Sequence, residues 1–126
     1  FRSNEVEDAV QVPAVPVRDA ILNLILNACH VSRENGSVGF LARLSHGSFV
    51  AEVSDTGPGL PGNLREYIER RGAGSAPLDR HSGLGLWIVK RHCDELDARL
   101  TVVQSDESGT TLRFRIPLKS EFEHAA

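Results

Sequence analysis

The chain contains no methionine, one tryptophan and one tyrosine, and aromatic residues make up only 6% of its 126 positions. With so few large rings, a core must come from aliphatic side chains and alanine. Only two cysteines are present, Cys29 and Cys93, so no dense disulfide framework supports the fold. Both fall in apolar helical pattern and are expected to be buried, inert thiols. No apolar run approaches the ~18 residues of a membrane span. The N-terminus, Phe1-Arg2-Ser3-Asn4, lacks the apolar segment of a secretory signal and an initiator methionine, so the chain reads as part of a longer protein. There is no excess of positive charge: the formal net charge is −3, which argues against a nucleic-acid partner. No internal repeat and no low-complexity tract is visible.

What is present is the patterning of an ordinary globular domain, 40% hydrophobic and 25% charged, of a length that favours a single domain over residues 1–126. Glu5 to Val12 has β character and ends at Pro13; Pro13 and Pro16 bracket an extended link. From Val17 to about Glu34 the apolar residues recur at helical spacing, and Asn35-Gly36 supplies a left-handed stop. Val38, Phe40, Ala42 and Leu44 alternate as a strand, His46-Gly47 forms a tight turn, and Phe49, Ala51 and Val53 continue as its partner. Gly59 to Ser82 is rich in glycine and arginine. It reads as a mobile lid loop (about 60–82) carrying a short helix near Asn63–Arg70, with few apolar anchors. Leu84 to Leu96 is helical, with Leu86, Val89, Cys93 and Leu96 on one face. Leu100–Gln104 and Thr110–Ile116 are strands around a Ser105–Gly109 turn, and the tail after Pro117 reads as frayed. The predicted class is α/β: a two-layer sandwich, with a mixed, mostly antiparallel sheet and about three helices on one face.

Three segments suggest chemistry. At ~100° per residue, Asp19, Asn23, Asn27, His30 and Glu34 share one stripe of the first helix. That is the pattern of a solvated face, and equally of a polar wall; an asparagine oxygen can ligate Mg²⁺ together with phosphates. Asp55-Thr56-Gly57-Pro58-Gly59 follows a strand. It is either a plain Gly-Pro turn or a carboxylate placed to accept from an exocyclic amino group, with glycines that admit a flat ring. Ser82-Gly83-Leu84-Gly85-Leu86 opens a helix, where free N–H groups attract phosphate. It is not a dinucleotide fingerprint, because no strand immediately precedes it, and it lacks the Lys-Ser/Thr pair of a P-loop.

In this order the three segments resemble the ATP-binding domain of the GHKL superfamily, and within it the catalytic domain of sensor histidine kinases. Asn23–Ala28 is similar to its N box, Asp55–Gly59 to its G1 box, Gly83–Leu86 to its G2 box, and Gly109–Phe114 to its closing strand. The resemblance runs from about Val17 to Leu118. It implies a Bergerat-type fold binding ATP and Mg²⁺. Asn27 would hold the metal, His30 would face phosphate, and Asn23 would line the nucleotide site. Asp55 would bind the adenine amino group, and Gly57 and Gly59 would shape its pocket. Ser82, Gly83, Leu84, Gly85 and Leu86 would wrap the phosphates, and Thr111 would reach adenine through water; the lid arginines Arg70, Arg71 and Arg80 either help neutralise the phosphates or only keep the loop soluble. Asn23 stands where hydrolysing members and anti-sigma serine kinases carry a general-base Glu, and Asn cannot act as a base. The resemblance therefore implies a protein-histidine kinase acting on a dimerisation helix outside this chain, with a response regulator downstream. It also implies a cytoplasmic domain without direct membrane contact, whatever the attachment of its parent. A regulatory nucleotide-binding module without transfer activity, and an anti-sigma-type serine kinase, are the alternatives.

Overall fold

The computed structural model describes residues 12–76 and 84–118. The strand expected at 5–12 (except Val12), most of the G2 segment's approach (His81, Ser82, Gly83) with Arg80, and the tail from 119 lie outside them.

The first helix, α1, runs Ala14–Val31. It starts earlier than expected and takes in Pro16, because a first-turn residue has no intrahelical use for an N–H. Pro13 caps it, and the Val17 N–H donates to the Pro13 carbonyl at 3.2 Å. It also ends earlier. Ser32 turns extended, and its hydroxyl accepts from the Thr56 N–H at 3.3 Å. Glu34 is thus not part of the helix, and the left-handed Asn35 (φ 64) belongs to the link that follows. Val17, Ala20, Leu24 and Ala28 are buried along one side.

Strands β1 (Val38–Ser45) and β2 (Ser48–Asp55) form a hairpin through His46 (φ 50) and Gly47 (φ 75), a two-residue turn with both φ values positive. Helix α2 follows at Gly62–Glu69 and helix α3 at Leu84–Leu96. The chain closes with β3 (Arg99–Asp106) and β4 (Gly109–Pro117), a longer hairpin with a shorter turn than the sequence suggested. Ser105 and Asp106 stay in the ladder, opposite Thr110 and Gly109. The sheet order is β1-β2-β4-β3, and every pairing among the described residues is antiparallel.

Helices α1, α2 and α3 pack on one face of this sheet. Leu24, Ile68, Leu86 and Val89 meet Val53, Leu100, Leu112 and Phe114, and Phe114 is fully buried. The opposite face is polar along β4, as its alternation predicted, while β1 and β2 also place Leu41 and Val50 there. There the Arg113 Nε–H donates to Glu52 at 2.7 Å, and Arg43 lies 3.9 Å from the same carboxylate.

Two expectations are corrected here. Cys29 is exposed, because it lies on the solvent side of α1, while Cys93 is buried as predicted. The segment after Gly59 is also well anchored in its first half. Ile68 and Ala73 are 1% and 2% exposed, and Leu60, Leu64 and Tyr67 pack against the core. The apolar residues of this short helix are few, but each one points inward, which a count of anchors does not reveal.

Two predictions follow from the buried positions. Burial pushes the Cys93 thiol up to about 12 from an ordinary 9.0. The unfolded chain therefore releases this proton first as pH rises. The associated stability is fully present below pH 9 and is lost as pH climbs toward 12. Urea unfolding of wild type should lose about 2 kcal/mol more between pH 8 and 10.5 than Cys93→Ala. Equal losses would contradict the assignment. A thiol reagent at pH 8 should modify Cys29 in the native protein and leave Cys93 untouched until unfolding.

Candidate functional site

The site residues gather where the end of β2, the start of β4, the polar side of α1 and the first turn of α3 converge. Asp55 is the last residue of β2 and is half-buried. Its Oδ1 accepts from the Gly57 N–H at 2.8 Å, closing a local turn, and from the Thr110 N–H at 3.2 Å across the sheet. Among the described residues its Oδ2 accepts nothing, so one oxygen is fixed and the other is presented.

Two glycines make this junction possible. A Cβ on Gly57 would stand 2.7 Å from the Val31 carbonyl, at the end of α1. A Cβ on Gly109 would stand 2.0 Å from the Asp55 carbonyl, and Gly109 has φ +145, a conformation side chains disfavour. Gly59, the other glycine of the motif, packs against the Asp106 carbonyl of the β3–β4 turn. The loop is tied down further: the Leu60 N–H donates to Ser105 Oγ at 2.8 Å, and the Ser37 N–H donates to Thr56 Oγ1 at 3.1 Å. Arg33 crosses the junction, donating to the Glu107 carbonyl at 2.8 Å.

Asn23 and Asn27 lie one turn apart on α1, both half-buried. The Asn23 Nδ2–H donates to the Asp19 carbonyl at 2.8 Å, which fixes the amide. Its Oδ1 lies 3.9 Å from where a Cβ on Gly85 would sit, so the first turn of α3 abuts the polar side of α1. His30 is exposed in the last turn, a favourable place for positive charge at a helix C-terminus. Leu84 and Gly85 are half-buried and Leu86 is buried in the core.

Thr111 does not join the group. It pairs with Ser54, and the two hydroxyls lie 2.9 Å apart. Both project to the face opposite Val53 and Leu112, away from the helices. Thr110 occupies the place beside Asp55, buried, with its hydroxyl 3.0 Å from Ser105 Oγ. Strand alternation could have found it: Thr110 shares parity with Leu112, Phe114 and Ile116, the inward residues of β4. Arg70 and Arg71 also stand apart. Arg70 stacks on the Tyr67 ring at 4.8 Å, and Arg71 lines a cavity of about 420 Å³ beside the C-terminal half of α3, with Asp97 and Arg99.

At the rim, Asp106 accepts from the Ser108 hydroxyl and N–H and from Gln104, and these bonds hold its carboxyl below the usual carboxylate range. No group of three or more His, Cys, Asp or Glu side chains suited to a metal ion occurs among the described residues. No described helix is long and apolar enough to cross a membrane.

Residues 13–120 match the family of Histidine kinase-, DNA gyrase B-, and HSP90-like ATPases. The chain is 37% identical over 107 residues to the signal transduction histidine-protein kinase/phosphatase MprB of Mycobacterium avium, covering 78% of this chain and 20% of that protein. It is 30% identical over 105 residues to the sensor histidine kinase TmoS of Ectopseudomonas mendocina, covering 79% of this chain and 11% of that one. It therefore spans only a small part of the curated relatives it matches. Among solved structures, the catalytic domain of histidine kinase ThkA superposes with a TM-score of 0.70 at 25% identity, over 86% of this chain and 70% of that one. Full-length ShkA in complex with AMPPNP superposes with a TM-score of 0.68 at 27% identity, over 83% of this chain and 22% of that one. The architecture of the described residues, three helices on a four-stranded antiparallel sheet, is shared with these domains, and the chain belongs to the histidine kinase-, gyrase B- and HSP90-like ATPase family as a histidine kinase-type ATPase domain.

Proposed function

We propose that this domain binds ATP with Mg²⁺ at the junction of Asp55, α1 and α3, and supports phosphoryl transfer to a histidine on a helical dimerisation domain of its parent chain. The observation that carries this reading is the carboxylate of Asp55. Two backbone N–H groups hold Oδ1, and Oδ2 has no partner among the described residues, a single oriented acceptor. Such an acceptor suits the exocyclic amino group of adenine and not the carbonyl that guanine has there. The ShkA complex with AMPPNP, a fold relative, supports a nucleotide at this kind of domain.

The donor set fits the metal through shared oxygens. With no cluster of carboxylates and imidazoles among the described residues, a magnesium ion would draw on Asn27 Oδ1 together with phosphate and water oxygens, its preferred environment. The ion would supply charge neutralisation at the phosphates. Asn23 keeps the polar wall in place through its bond to the α1 backbone. It carries no base, which favours transfer over hydrolysis. His30, one turn further along, faces the same side. The first-turn N–H groups of α3, which have no partner within the helix, are the remaining electrostatic element, and Gly85 adds no side chain beside them. Gly57 and Gly59 shape the base pocket by letting the loop pack against the Val31 and Asp106 carbonyls. Phosphoryl transfer asks mainly for this positioning and neutralisation. A response regulator is the expected downstream partner.

Asp55→Asn retains an acceptor for Gly57 and Thr110 and presents an amide NH₂ where the free oxygen was. It should fold normally and lose about 1.5–3 kcal/mol of ATP binding, the worth of a hydrogen bond to a charged group. Calorimetry with ATP and GTP reads this directly. Equal binding of both nucleotides by wild type, unaltered in the variant, would refute the pocket. Asn27→Ala should weaken Mg²⁺-dependent ATP binding by tenfold or more (~1.5 kcal/mol) while changing metal-free ADP binding far less. It should also stop phosphorylation of an added dimerisation hairpin; a wild-type transfer rate at unchanged melting temperature would exclude its role.

A further inference from the structure

One side of α3 grips the chain that leaves α2. Trp87, Lys90 and Asp94 fall at i, i+3 and i+7, so they share a helix face. The Trp87 Nε1–H donates to the Gly74 carbonyl at 3.0 Å, and Asp94 Oδ2 accepts from the Ala73 N–H at 3.0 Å. Between them the Lys90 ammonium donates to the carbonyls of Tyr67 at 2.8 Å, Ile68 at 3.3 Å and Arg70. The Tyr67 hydroxyl closes the arrangement on the Ala73 carbonyl at 2.8 Å.

Lys90 is 4% exposed, and its three N–H donors meet three acceptors. No described carboxylate forms an ion pair with it. Its charge is instead matched to the end of α2, where a helix leaves its last carbonyls without partners and carries partial negative charge. An eight-residue helix is marginal by itself, so this cap decides whether α2 keeps its last turn. Burial and the nearby Arg70 guanidinium lower the Lys90 pKa, as expected for a cation held by dipoles and not by a carboxylate. Trp87 belongs to the first turn of α3, so its bond ties Gly74 to that turn.

We infer that Lys90, with Trp87 and Asp94, is a positioning residue that fastens the strap 67–74 to α3 and thereby fixes that strap beside the phosphate end of the nucleotide site. The fastening is independent of any ligand; the second half rests on the nucleotide reading given above. Loss of the ammonium frees three carbonyls at the end of α2 and the strap with them. The adenine end, built on Asp55, Gly57 and Thr110, shares no contact with this clasp.

Hydrogen exchange of the 126-residue chain tests the fastening, using Lys90→Met, which keeps the apolar stem, and Trp87→Phe, which removes the N–H donor and keeps a smaller aromatic ring. Exchange across 67–76 should rise at least tenfold in Lys90→Met, with β4 unchanged. In Trp87→Phe the rise should be confined to 73–76, and this variant decides the matter if Lys90→Met does not fold. NMR titrations with AMPPNP·Mg²⁺ and with adenosine test the positioning. In the variants the AMPPNP affinity should fall at least fivefold while the adenosine affinity stays within twofold. A general loss of structure would lower both. Unchanged strap exchange, or equal losses for both ligands, would overturn the inference. Failure of wild type to bind either ligand would overturn the nucleotide reading instead, and the exchange result would then decide the fastening alone.

Discussion

The site depends on one close crossing of backbones, where the end of β2 meets the start of β4. Gly109 passes so near the Asp55 carbonyl that no side chain fits, and this proximity puts the Thr110 N–H against the Asp55 carboxylate. Gly57 repeats the device toward α1, against the Val31 carbonyl. Each contact removes a degree of freedom from a loop that would otherwise be a mobile turn. The carboxylate is then held by fixed amide groups, which need no reorganisation when a ligand arrives.

The two layers contribute differently. The sheet supplies the carboxylate and its amide cradle. The helices supply the polar side of α1, with Asn23 and Asn27, and the open first turn of α3. Their mutual position is set by burial: Leu24 and Leu86 both pack into the core above Val53, Leu112 and Phe114, leaving the polar stripe at the edge of the apolar one. A helix can present asparagines to a cleft only if its other side is anchored in this way. Beyond Gly59 the chain returns to the core through Ile68 before rising along α3, so the anchored strap and the site share one helix.

Much of this was legible in the sequence because periodicity is strong where burial is one-sided. The β1–β2 hairpin, the extent of α3 and the wet face of β4 were all readable from alternation or from the 3.6-residue period. The start of α1 was harder, because Pro16 looks like a breaker and is harmless only in a first turn. Thr110 and Thr111 are chemically identical, and only the cross-strand register tells which one stands beside Asp55. Lys90 carried a signal that went unread: it sits four residues after Leu86 and three before Cys93, inside the buried stripe. A lysine there must find buried acceptors, and the carbonyls at the end of α2 are remote in sequence. Arg70 stacks on Tyr67 three residues earlier, a pairing that local spacing allows, whereas nothing local shows that Arg71 lines a cavity further along α3.

The central claim is that a nucleotide occupies the junction of Asp55, α1 and α3, and not the cavity of about 420 Å³ beside the C-terminal half of α3. Backbone amide chemical-shift mapping with AMPPNP·Mg²⁺ tests it most directly. The account predicts that the large shifts fall on Asn23, Asn27, Asp55, Gly57, Gly85 and Thr110, with Asp97 and Arg99 unmoved. Large shifts centred on Asp97 and Arg99, with Asp55 and Thr110 silent, would contradict it.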